Sequence, residues 1–343
     1  MQVTRFPVKR TVACAVAVLT VILLAVVAVS YLPTSRQKMC RSVAMMECRS
    51  YYVVRADGKR LFCFRTLSSD TLLQGVDTAA AKIAAVVYMP ACWVNRWAFV
   101  PSCRGRLLTR ETTNADSVRL WMERHGDWMM AREKERMERE MKALDHKASE
   151  LKYYLNVHNV QDEGFNTVSQ YAVKVNHDKD SVAHILDKLK HLRKGARITV
   201  VPVSDYTLLE RTEAGKQKRI TCRRCSQRDK SGFIFLQTID GKTPAGACAQ
   251  SLHDWLSWRA DEGDLVFVAG FSGVNRVAFD AASSVAAIAP GHVVGADGRH
   301  NIPQILAPDG SPVFSQNGCF LGLSCQGKVM GTKELARLFK NIR

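Results

Sequence analysis

Acidic residues are missing from the start of the chain: the first carboxylate is Glu47. From Thr11 to Ser35 there is no charge of either sign. Cysteine is sparse, 11 of 343 residues, which excludes a disulfide-built scaffold. The number is odd, so at least one thiol is unpaired or bridges to another chain. Walker, Rossmann and EF-hand patterns are absent, and Gly270-Phe-Ser-Gly273 lacks the downstream Gly-Lys-Ser/Thr of a phosphate loop. No cofactor is expected. What is present is 47% hydrophobic and 24% charged residues, which excludes a disordered tail, a collagen-like fibre and a multi-span membrane protein. The charge is mostly of one sign: Lys+Arg 49 against Asp+Glu 32, a net +17. Such a surface attracts anions, and anionic lipid or an acidic protein partner is expected at its basic patches. No motif combines stacking residues with basic ones, so no specific nucleic-acid partner is expected.

The length suggests two domains or one large two-lobed domain. After a short basic segment, 1–10, residues 11–32 are almost wholly apolar and long enough to span a bilayer as one helix. A cleaved signal peptide has a shorter apolar core, and Pro33 closes this run without an A-x-A-like cleavage site. The expectation is a retained single-pass anchor in contact with membrane lipid. Arg5, Lys9 and Arg10 precede it, and Arg36, Lys38, Arg41 and Arg49 follow, so the positive-inside rule does not fix its orientation. A basic, acid-poor start suits the mitochondrial inner membrane as well as a secretory-pathway membrane. Residues 33–50 read as a linker.

A helical insertion is expected over 111–194. Met137, Met141, Leu144, Ala148, Leu151 and Leu155 recur at alternating spacings of four and three, a heptad seam on one helix face. It is too short for a self-sufficient coiled coil and reads as a helix packed on its own protein or on a partner. Trp121 and Trp128 lie one heptad apart upstream, as core or as a partner-binding stripe. A second amphipathic helix runs over 180–193, with Val182, Ile185, Leu186 and Leu189 inward and a basic face at Lys188, Lys190, Arg193 and Lys194.

The rest of the chain reads as β structure. Short strand-like runs occur at Tyr51–Arg55, Leu61–Arg65, Ile83–Tyr88, Trp97–Val100, Ile198–Val203, Phe233–Thr238, Asp264–Ala269, Ile302–Leu306 and Phe320–Leu323. Many short strands between turn residues suggest a sandwich or a barrel. Four of these segments carry a resemblance. Glu262-Gly-Asp-Leu-Val-Phe-Val-Ala-Gly-Phe-Ser-Gly273 resembles the GDxVxxxGxPxG stretch of trypsin-like serine proteases of the Deg/HtrA type. Ala307-Pro-Asp-Gly-Ser-Pro-Val-Phe314 resembles the family's nucleophile loop, Cys92-Trp-Val-Asn-Arg-Trp-Ala-Phe-Val-Pro-Ser-Cys103 its base segment, and Ser204-Asp-Tyr-Thr-Leu-Leu209 its acid segment. Their order is that of the family. The resemblance implies a mainly β chain with a helical insertion. It implies a trypsin-like double β-barrel, which would follow the one expected transmembrane helix. The first barrel would begin over 51–110, the remainder and the second barrel would occupy 195–330, and a helix would end the chain over 331–343.

The same resemblance implies a degenerate triad. Ser102 stands at the histidine position, and a serine hydroxyl is no base near neutral pH. Asp309 stands at the nucleophile position, where a carboxylate repels a developing oxyanion. Asp205 alone keeps the family's residue. The oxyanion loop is altered at Ala307, Pro308 and Gly310. Ser311 is a rescue nucleophile only if Pro312 and Val313 replace the family's glycines, and His253, His292 and His300 lie outside the base segment. The expectation is a membrane-anchored pseudoprotease, not an enzyme, that binds partner proteins within a larger membrane complex. Its rival is an active membrane-bound serine-type endopeptidase using non-standard residues. Cys222-Arg-Arg-Cys225 supplies two thiols, and Cys248 and His253 would complete a four-ligand metal set. Their spacing is not a ribbon pattern, so no metal is expected.

Overall fold

The computed structural model describes residues 8–31, 34–95, 104–111, 115–193, 195–211, 217–226, 228, 230–252, 259–271 and 285–338. The chain divides into two compact units. Residues 1–48, 87–112 and 205–343 form a barrel unit; residues 49–86 and 113–204 form a helical unit.

In chain order the elements begin with α1 (Val8–Tyr31), α2 (Arg36–Arg41), β1 (Val43–Ala56), β2 (Lys59–Phe64), β3 (Thr66–Leu67), β4 (Leu73–Gln74) and α3 (Ala80–Ile83). Then come β5 (Ala85–Asn95), β6 (Arg106–Arg110), α4 (Ala115–Val157), α5 (Phe165–Lys190), β7 (Ile198–Arg211), β8 (Gln217–Arg224), β9 (Phe233–Thr238) and β10 (Gln250–Ser251). The last are β11 (Leu265–Phe271), β12 (Ala286–His292), β13 (Pro312–Ser315), β14 (Phe320–Cys325), β15 (Lys328–Gly331) and α6 (Thr332–Leu338).

The first sheet runs β5-β6-β9-β8-β7-β1, and a further pairing of β1 with β5 closes it into a six-stranded barrel. Closure leaves no free edge within the ring. The period-two alternation of its strands decides what lies inside. Met46, Ala91, Leu107, Tyr206, Leu208, Cys222, Ile234 and Leu236 form the interior. The intervening residues face outward. Cys92, Val94, Leu108, Phe233 and Phe235 make a second apolar layer with Leu323 of β14 and Leu335 of α6. Burying each phenylalanine contributes about 1.5–3 kcal/mol.

The second sheet is antiparallel, ordered β12-β11-β13-β14-β15. Two isolated bridges, Val293↔His300 and Arg299↔Lys328, join its outer strands through the 299–300 segment and complete a second ring. Val266, Val268, Val293, Ile302, Val313 and Leu321 fill it. Residues 302–306, expected as a strand, form turns instead. Both Leu306 and Ala307 N–H donate to the Pro303 carbonyl, so this backbone bonds to itself rather than to a neighbouring strand. The apolar signal of Ile302 is genuine, because its side chain is buried inside the ring. Residues 33–50, expected as a linker, hold α2 and the first part of β1. Met39 of α2 is buried with Val43, Phe271 and Phe314. Trp97–Val100 lies outside the described residues.

In the helical unit, the two expected helices are present as α4 and α5, packed against each other. Met122, Met129, Met130 and Met137 of α4 meet Val182, Ile185, Leu186 and Leu189 of α5, with Tyr52, Phe62 and Phe64 of the β1–β2 hairpin in the same core. Trp121 packs against that core and Trp128 is exposed, stacked under the Arg132 guanidinium at 5.0 Å. Helix α5 starts at Phe165, one long amphipathic stretch before its expected start. Its Lys188 Nζ donates to the Leu61 carbonyl at 3.1 Å.

Helix α1 covers the expected anchor and has 24 residues. Among the described residues, no helix is long and apolar enough to cross a membrane. The side chains at 8–11, 13, 23 and 26–31 lie outside that description. Those described, among them Val12, Val16, Leu19, Ile22 and Leu24, are all exposed.

Candidate functional site

The segment that resembles a nucleophile loop is a turn of the second barrel pressed against the first. Pro308 to Ser311 form a tight turn, closed by the Ser311 N–H donating to the Pro308 carbonyl at 3.1 Å. Gly310 sits at its third position with φ +94, a conformation glycine adopts without strain. A Cβ there would lie 3.0 Å from the Pro90 carbonyl of β5 and 3.4 Å from the Arg110 nitrogen of β6. The turn is pinned to its own barrel as well. Gly310 N–H donates to the Ser324 carbonyl, and Ser324 N–H to the Ser311 carbonyl, both at 2.8 Å.

Asp309 projects from this turn into an ion pair with Arg110 of β6. Its other oxygen accepts the Gln326 N–H at 2.6 Å. The Arg110 Nε–H donates to the Ser231 carbonyl at 2.9 Å. Both side chains are nearly buried, 14% and 10% exposed, so the pair is little screened by solvent. The Ala307 N–H, which the resemblance would aim at an oxyanion, donates to the Pro303 carbonyl at 2.9 Å.

The other expected positions do not gather around this turn. Asp205 lies exposed on β7. Its neighbour Tyr206 points into the first barrel, where its hydroxyl donates to Glu111 at 2.8 Å. Burial, with Cys48 and Glu111 nearby, pushes that phenol far above its ordinary range. Glu111 also pairs with Arg224 at 3.2 Å, and the buried Glu47 pairs with Arg219. Neither carboxylate carried a sequence signal, because each sits within a strand-like or loop stretch with no partner nearby in the chain. Ser311 is fully buried and its hydroxyl has no hydrogen-bond partner among the described residues. Ser102 and His253 lie outside the described residues.

Cys222 and Cys225 face opposite sides of β8 and its end. Cys222 packs inside the first barrel, and burial pushes its thiol up to about 12. Cys225 packs against the outer apolar layer and lies 3.9 Å from Gln237 Oε1. An odd separation along an extended chain produces this divergence. Cys248 is a free thiol beside Gln250. Among the described residues, no three of His, Cys, Asp and Glu are grouped to hold a metal.

One imidazole–hydroxyl contact was not foreseen. His300 Nε2 lies 3.1 Å from Ser324 Oγ, which reaches the Ala307 carbonyl at 3.5 Å. His300 is 5% exposed and Ser324 is fully buried. The burial of both residues closes this hydroxyl to a substrate, and among the described residues no carboxylate is hydrogen-bonded to the ring. Burial lowers the affinity of His300 for a proton, against weaker opposite effects of a backbone hydrogen bond at Ile302 and of the Asp309 charge. Its folded-state pKa is therefore below its unfolded one. Its contribution to stability is present above the unfolded value, about 6.5, and is lost as pH falls through the folded one. Denaturant unfolding at about pH 8 and about pH 5 should show acid weakening that His300→Gln reduces. An unchanged pH slope in that variant would discard the assignment.

No family model matches the sequence, and no curated protein matches it. The structure is similar to the crystal structure of Deg5, at 9% identity over 88% of each chain with a TM-score of 0.33. It is also similar to the apo MamO protease domain from Magnetospirillum magneticum, at 15% identity and a TM-score of 0.25, over 37% of this chain and 69% of that one.

Proposed function

We propose that this chain is a membrane-anchored pseudoprotease: a double barrel of the trypsin-like kind that binds partner proteins instead of cleaving them. The observation that carries the reading is the Arg110–Asp309 ion pair at the nucleophile position. A carboxylate already engaged by a guanidinium and a backbone N–H is a poor nucleophile. The Ala307 N–H is directed at Pro303 rather than at a reaction centre, which removes a donor that oxyanion stabilisation needs. Two closed rings and the order of the four sequence segments support the fold behind this reading.

Support for the anchor is the composition of α1, whose 24 residues have charge only at Lys9 and Arg10. At 1.5 Å per residue such a helix is roughly 36 Å long, against about 30 Å of hydrocarbon. Arg36, Lys38 and Arg41 follow it directly on exposed positions of α2, suited to anionic head groups or an acidic partner in a membrane complex. The rival reading, a serine-type peptidase, has one observation in its favour, the His300–Ser324 contact, and the burial of both residues counts against it.

A fluorophosphonate probe applied to the full chain in native membranes tests both halves. The expected result is no labelled serine, with the chain retained in the pellet after alkaline carbonate washing. Stoichiometric labelling of Ser311 or Ser324 would establish the peptidase reading, and release by carbonate would remove the anchor.

A further inference from the structure

The second barrel has a cavity that the junction does not use. It opens between the loop after β12, the β14–β15 hairpin and α6, with a volume of about 380 Å³. No residue of the 307–311 turn lines it. Its floor is apolar: Val293 and Leu321 are buried, and Val329 is half-buried beside them. Its rim is cationic, with Arg259, Lys333 and Arg337 all exposed.

The charge balance is uneven. Asp297 also lines the cavity, but its carboxylate pairs with Lys328 and lies 3.8 Å from Arg299. The Lys328 ammonium, first, and then the Arg299 backbone N–H and guanidinium hold it below the usual carboxylate range. That leaves three cations against Glu334 alone, a surplus of three minus one, or two. None of the three has an ion-pair partner among the described residues.

Such a site rejects metal cations. A nucleic-acid backbone prefers a row of cations without an apolar floor. Guanidinium groups match a carboxylate through two parallel N–H···O bonds. An apolar floor beneath a few convergent polar groups is the usual make-up of a small-ligand pocket. We infer that this cavity binds the C-terminus of a partner protein. The free α-carboxylate lies between Arg259 and Arg337, and the last, aliphatic side chain rests on Val293, Leu321 and Val329. The inference goes beyond the reading of the junction and stands even if the chain proves to be a peptidase.

The test uses the full chain in detergent micelles and fluorescein-labelled pentapeptides ending in Val, Leu or Phe, read by anisotropy. Each is compared with its C-terminal amide, with a peptide ending in Ser, and with inorganic phosphate as competitor. At least one free-acid peptide should bind saturably, with its amide weaker by about tenfold or more. The Ser-ended peptide should also be weaker. Arg259→Gln and Arg337→Gln should each weaken binding by about fivefold or more without moving the thermal unfolding midpoint, since both side chains are exposed. The inference is overturned if no free-acid peptide binds, if acid and amide bind alike, or if neither variant matters. It is also overturned if phosphate displaces a Ser-ended peptide that binds as well as the others, which would make this an anion site only.

Discussion

Arg110→Met should cost the barrel unit about 3 kcal/mol of unfolding free energy. The reason is the carboxylate left behind. Asp309 is held in a turn that cannot retreat, because Gly310 packs against the β5 carbonyl at Pro90 and is hydrogen-bonded to Ser324. Without Arg110, only the Gln326 N–H would remain to stabilise the charge. The guanidinium also bridges to the Ser231 carbonyl, which would be left unsatisfied. Asp309→Asn removes the charge and keeps the shape, so it should cost less. The double variant should then be milder than the sum of the two, by a coupling of about 1–3 kcal/mol. Denaturant unfolding followed by tryptophan fluorescence, to which Trp93 buried in the first barrel contributes, measures all four corners. Simple additivity would show that the pair is a surface accident, not a clamp between the two rings.

Gly322→Ala should be about as damaging, roughly 4 kcal/mol, from backbone strain and overpacking together. Gly322 lies at φ +149 in the middle of β14, next to the register shift at Val313/Phe314. A Cβ there would stand 1.9 Å from the Met330 carbonyl, and that atom belongs to the paired strand β15, so relief requires the hairpin to open. Gly327 provides the contrast. It has φ +75 in the turn between the same strands, with nothing near its Cβ position. Its alanine variant should cost only the local backbone term, about 1 kcal/mol. Equal losses for the two would mean that the β14–β15 approach is not tight in solution.

These two positions show where sequence reasoning reaches and where it stops. Gly322 sits in Phe320-Leu-Gly-Leu323, a segment legible as a strand, yet the need for glycine comes from a carbonyl eight residues further on. The loop around Asp309 stood out in the sequence through its resemblance to a nucleophile loop. Its partner did not, because Arg110 lies 199 residues away and looks like any strand-end cation. The inward faces of α5 were readable from period alone, since Val182, Ile185, Leu186 and Leu189 repeat with the helix. The segment 302–306 misled, because a short apolar run satisfies a strand template whether its backbone bonds across or to itself.

By itself, the sequence determined the inward stripe of α5, the helical insertion, and the apolar stretch that forms the first helix. Periodicity along a chain is a local property, and local sterics impose it. The tertiary structure alone decided which strands pair to close each ring, that Asp309 meets Arg110, and that His300 lies beside Ser324. Those are meetings of distant residues, chosen by which faces remain to be buried after each strand has formed, and no spacing in the chain encodes them.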